Sequence, residues 1–124
     1  MNALGRHVLA EVYDCNRSIL DDTGEVEQVM VNAALKAGAE VREVAFHKFS
    51  PQGVSGVVVI SESHVAVHTW PEYGYAAVDV FTCGSKVDPW DIMNRIIKDL
   101  DAGHYTATET RRGIFEETAA QAAS

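Results

Sequence analysis

The sequence is short of almost everything that would tie it to a membrane, a disulfide scaffold or a nucleic acid. Among its 124 residues there are two cysteines, Cys15 and Cys83, and three prolines. Two cysteines build no disulfide framework, which points to a reducing, cytoplasmic setting. Ten Lys and Arg against 18 Asp and Glu leave a formal net charge of −8. That is the wrong sign for binding a phosphate backbone or an anionic bilayer. No apolar run approaches the roughly 20 residues needed to span a membrane. Met1-Asn2-Ala3-Leu4-Gly5-Arg6-His7 lacks the apolar centre of a signal peptide. There is no internal repeat, linker or low-complexity stretch beyond an Ala-rich tail at 118–124, which is expected to fray. Residues 1–124 therefore read as one domain with a modest core.

What is present is a regular alternation of strand and helix patterns. Gly5–Tyr13 puts Val8, Ala10 and Val12 on one face of a first strand. Asp21-Asp22-Thr23 supplies capping oxygens for a helix with the stripe Val26, Val29, Met30, Ala33 and Ala37, and Gly38 ends it. Strand patterns follow at Glu40–Phe49, Ser55–Ser61, His64–Trp70 and Tyr75–Cys83, broken by Ser50-Pro51-Gln52-Gly53 and Pro71-Glu72-Tyr73-Gly74. Asp88-Pro89 opens a second helix along Trp90, Met93, Ile97 and Leu100, and His104–Arg111 reads as a closing strand. The order predicts an α+β two-layer sandwich, a mainly antiparallel sheet with two helices on one face.

Strand alternation assigns the two sheet faces. Val65, Val67 and Thr69 point one way, as do Val78, Val80 and Thr82. His64, His68 and Trp70 point the other way with Asp79, Phe81 and Cys83. The aliphatic set suits the helices. The mixed set suits a face that a second copy covers while leaving a polar cavity, which makes an αββα sandwich on dimerisation.

The segment Val57–Trp70 carries the chemistry. Glu62-Ser63 stands where a turn would carry Gly, Asn, Asp or Pro. A hydrophilic hairpin tip is the plain reading, and there is no G-x-S-x-G elbow for a serine hydrolase. His64 and His68 are roughly 13 Å apart on a strand, too far to share one metal ion, and no zinc motif accompanies them. No metal is expected. A lone cysteine such as Cys83 is usually a packing residue.

The run Glu62-Ser63-His64, then H-T-W-P-E-Y-G-Y-A-A-V-D-V-F-T-C-G at His68–Gly84, resembles the short, self-processing prokaryotic S-adenosylmethionine decarboxylases. The likeness extends through L-G-R-H at Leu4–His7 and F-H-K-F-S-P-Q-G-V-S-G-V-V-V-I at Phe46–Ile60 and is weakest after Trp90. It implies that the proenzyme cuts itself between Glu62 and Ser63. The Ser63 hydroxyl would attack the Glu62 carbonyl, and β-elimination and hydrolysis would leave a pyruvoyl group on residue 63. The products would be a β chain of residues 1–62 and an α chain of residues 63–124.

The resemblance also implies roles. The pyruvoyl group would form a Schiff base with S-adenosylmethionine and act as an electron sink for loss of CO₂. Cys83 would return the proton to substrate, and His68 would accept the proton during self-processing. Ser55 would assist processing. Glu72 would grip the ribose hydroxyls, Phe49 would stack on adenine and Trp70 would add to that pocket, or both aromatics would pack in the core. His64 and Cys15 match no family role and read as structural. The implied product serves spermidine synthesis. The same cofactor chemistry on arginine or ornithine, and a non-catalytic nucleoside- or polyamine-binding homologue, are the alternatives.

Overall fold

The structure, a computed structural model, describes residues 3–115; the tail expected to fray lies outside them. Six strands form one antiparallel sheet in the order β2-β3-β4-β5-β1-β6. They are β1 (Ala3–Tyr13), β2 (Glu40–Lys48), β3 (Val54–Ser61), β4 (Ser63–Trp70), β5 (Tyr75–Cys83) and β6 (His104–Ile114). The helices are α1 (Arg17–Leu20), α2 (Thr23–Lys36) and α3 (Pro89–Asp99). The expected α+β two-layer sandwich is the observed architecture.

Two small elements and two details of packing differ from the expected pattern. The one-turn α1 forms because Asn16 Oδ1 accepts a hydrogen bond from the Ile19 amide at 3.1 Å. A 3₁₀ turn at Pro71–Tyr73 lies between β4 and β5, closed by Gly74 at φ +62°. Ala37 is the C-cap of α2 rather than part of its buried stripe, and Ala34 is buried instead. Trp90 is only half-buried; Ile92 and Ile96 fill the face of α3. Ala37 falls past the last turn of its helix, and the Trp90 ring N–H donates to Glu109 of β6 at 2.6 Å; periodicity alone gives neither.

The caps read from sequence are in place. Asp22 Oδ1 accepts from the Glu25 amide at 3.0 Å, and Asp88 Oδ1 from the Trp90 amide at 2.9 Å with Pro89 behind it. The core lies between helices and sheet, with Val8, Val12, Val65, Val67, Val78 and Val80 all buried. Thr69 joins them because its hydroxyl donates to Leu20 O at 2.7 Å and accepts from the Val54 amide at 2.9 Å. Among the described residues, no element packs on the opposite sheet face. No helix among the described residues is long and apolar enough to cross a membrane.

Candidate active site

β3 and β4 are joined by the shortest of connections. Ile60 pairs with Ser63, so Ser61-Glu62 is the loop. Ser63 leaves it with φ +121°, a backbone conformation that L residues seldom adopt. In register Ser63 pairs with Thr82, whose side chain faces the core. Even so, the Ser63 hydroxyl lies 3.2 Å from the Cys83 thiol sulfur. The Cys83 amide also donates a hydrogen bond to the Glu62 carbonyl oxygen at 3.2 Å. The peptide bond between 62 and 63 is thereby held with a donor on its carbonyl and a hydroxyl on the adjoining residue. Arg42 Nε, from β2, donates to Ser61 Oγ at 2.5 Å and fixes the upstream side of the loop.

A second cluster sits farther along the same bare face. Ser55 and His68 are cross-strand partners, and Ser55 Oγ lies 2.8 Å from His68 Nδ1. They border a cavity of about 320 Å³ whose lining includes Phe49, Trp70 and Glu72, together with Gln52. Phe49 is 46% exposed and Trp70 40% exposed, so neither aromatic is spent on the core.

Local bonds hold this rim. The Phe49 amide donates to Gly53 O at 2.8 Å, and Gly53 has φ +106°. Asp21 Oδ1 accepts from the Gly53 amide at 2.9 Å and pairs with Lys48 Nζ at 3.1 Å. Those two contacts, the amide first, hold the Asp21 carboxyl below its ordinary pKa. In sequence, Gln52 has only a place in a turn and Asp21 only a place beside a helix cap; their position against the Phe49 rim reveals them.

The two clusters do not meet within one chain. His68 follows Ser63 by five residues on one strand, a separation of roughly 16 Å. The sequence-derived residues thus fall into two groups, Glu62, Ser63 and Cys83 at one end and Ser55, His68, Phe49, Trp70 and Glu72 at the other. Cys15 is buried away from both, with its thiol pushed up to about 11 by burial. His64 is joined not by His68 but by His7 and Asp79, the three ligand-type side chains that converge among the described residues.

Residues 6–113 match the family model described as S-adenosylmethionine decarboxylase. The chain is similar to the S-adenosylmethionine decarboxylase proenzyme of Acetivibrio thermocellus, at 69% identity over 117 residues and 94% of each chain. It is 65% identical over 124 residues to that of Clostridium tetani, covering 100% of this chain and 98% of the other. Among solved structures, an adenosylmethionine decarboxylase from Aquifex aeolicus superimposes with a TM-score of 0.88 at 33% identity, covering 94% of this chain and 97% of that one.

Proposed function

The chain belongs to the S-adenosylmethionine decarboxylase family, and on that footing we propose that it cleaves itself between Glu62 and Ser63 and then decarboxylates S-adenosylmethionine in the cytoplasm for spermidine synthesis. The observation that carries the reading is the arrangement at the 62–63 bond: Ser63 Oγ beside Cys83 Sγ, and the Cys83 amide on the Glu62 carbonyl.

Attack of Ser63 Oγ on the Glu62 carbonyl carbon turns the amide into an ester. The carbonyl oxygen gathers negative charge during attack, and a backbone N–H already aimed at it stabilises that charge without reorganisation. The hydroxyl proton goes to His68, oriented by Ser55. Loss of the proton on Cα of residue 63 then breaks the Cβ–O bond. Residues 1–62 leave as a carboxylate, dehydroalanine remains, and hydrolysis with loss of ammonia leaves a pyruvoyl terminus. That group supplies an electron sink for the departure of CO₂. The chain's own residues do the rest. Cys83 delivers a proton beside residue 63. The carboxylate of Glu72 accepts two hydrogen bonds from a ribose cis-diol. Phe49 and Trp70 offer faces to adenine and to the sulfonium cation.

His68 can serve Ser63 only across two chains. We read the bare sheet face as the contact of a homodimer. A two-fold rotation sets Ser63 and Cys83 of one copy against Ser55 and His68 of the other, which makes the αββα sandwich. Such sharing accounts for two half-sites on a single face.

Purified protein run under denaturing conditions should show two fragments of near-equal size, and Ser63→Ala a single band. The cleaved protein should release CO₂ from carboxyl-labelled S-adenosylmethionine and not from arginine or ornithine. One full-length band after long incubation, with no CO₂ from any of the three, would mean a binding protein instead. Release from a basic amino acid would move the substrate assignment and leave the cofactor standing.

A further inference from the structure

Between the two half-sites, on the same face, Asp79 of β5 stands with one carboxylate oxygen shared by two imidazoles. His7 Nε2 of β1 is 2.9 Å from Asp79 Oδ2, and His64 Nε2 of β4 is 2.8 Å from the same atom. Arg112 Nη1 lies 3.3 Å from His7 Nδ1. A guanidinium has no acceptor, so Nδ1 must accept, and the His7 proton is on Nε2, where it donates to Asp79. Phe81 packs against both rings, at 5.1 Å from His7 and 5.9 Å from His64. Gly5 leaves room for it, since a Cβ there would run into the Phe81 ring.

Two Nε2 atoms and a carboxylate oxygen also form a donor set for a metal. The Arg112 contact speaks against that use. A cation would need His7 Nε2 bare and its proton moved to Nδ1, against the donating guanidinium, whose charge also repels a dication.

We infer that Asp79 is a positioning residue for the chemistry at residue 63, acting through the ring of His64. The inference rests on the function proposed above. Once the 62–63 bond breaks, residue 63 becomes the free end of β4, and strand ends fray unless tied down. The carbonyl that the Cys83 amide held has left with the upstream fragment. His64 is the next residue, and its side chain is clamped by Asp79 and Phe81. That clamp keeps the reacting carbon of residue 63 within reach of the Cys83 thiol, which must protonate the substrate's α-carbon and not the carbon derived from Ser63.

Asp79→Asn tests it, because the amide keeps the shape, but a neutral oxygen accepts from the two imidazoles more weakly than the carboxylate oxygen they share. The variant should cleave into two fragments and keep its melting temperature and KM. Its kcat should fall by about tenfold to a hundredfold, as loss of exact placement does. Its C-terminal fragment should gain alanine at its head. Alanine arises when the proton goes to the carbon derived from Ser63; water then hydrolyses the C=N bond, the substrate leaves as an aldehyde and its amino nitrogen stays on residue 63. His64→Gln, whose amide nitrogen can still donate to Asp79, should recover most of the kcat lost in His64→Ala, and this pair decides the matter if Asp79→Asn does not fold. Unchanged kcat with no alanine would overturn the inference alone. Calorimetric binding of zinc to the cleaved protein, lost in Asp79→Asn, would overturn it in favour of a metal site. A wild type that neither cleaves nor releases CO₂ would remove this inference together with the function beneath it.

Discussion

At the scale of a single residue, Ser63 is the position where local preference and tertiary placement disagree. Ordinary strand geometry would turn its side chain toward the core, beside Thr82. A φ of +121° turns the hydroxyl to Cys83 instead. Conformations of this kind cost on the order of 1–3 kcal/mol and persist only where the surroundings impose them. Glycine accepts positive φ without a Cβ penalty. Ser63→Gly and Ser63→Ala should therefore both remain uncleaved, while the glycine variant is the more stable, by about 1 kcal/mol in denaturant unfolding. Equal stability, or a more stable alanine variant, would show that the backbone there is relaxed. The Thr82 hydroxyl, buried and without a partner, is the other cost beside this turn, and nothing in the structure explains it.

At the scale of elements, the sheet is stitched to the helical layer by a few polar side chains at its margins. Glu109 on β6 accepts two hydrogen bonds from Arg6 of β1, at 2.9 and 3.0 Å, and one from Trp90 Nε1 of α3 at 2.6 Å. The Arg6 bonds first, and then Trp90, pull its carboxyl down to about 2 from an ordinary 4.5. A folded-state pKa below the unfolded value means stability that is complete above about 4.5 and is lost as pH falls toward about 2. Melting temperature should decline over that interval. In Glu109→Gln it should start lower and decline less, since the titrating group is gone. A variant whose acid profile runs parallel to that of wild type would show that other carboxylates carry the acid sensitivity. This bond set also explains why Trp90 is half-buried: its ring nitrogen reaches for β6 instead of the core.

At the scale of the whole molecule, the distance between half-sites becomes an experiment. Ser63→Ala chains retain His68, and His68→Ala chains retain Ser63. If each site is shared between copies, co-expression should yield cleaved His68→Ala chains beside intact Ser63→Ala chains, whereas neither variant is cleaved alone. No cleavage in the mixture would mean that His68 serves its own chain, and the shared site would have to be abandoned.

The sandwich is legible in the residue pattern, because burial on one face forces strands to alternate with period two and helices to carry a stripe near period 3.6. Val65, Val67, Val78 and Val80 announce the covered face, and Asp22, Asp88 and Pro89 announce where the helices begin. Likeness to a known family marked Ser63, Cys83, His68 and Glu72, whose side chains alone look like a hairpin tip, a packing thiol and surface polar groups. It took the folded sheet to show that Asp79 joins His7 to His64 and that Asp21 braces the turn bearing Phe49. The first relation is set by register between strands far apart in the chain, the second by a loop packed on a turn 32 residues away. Register depends on packing of the whole sheet and leaves no local periodic signal.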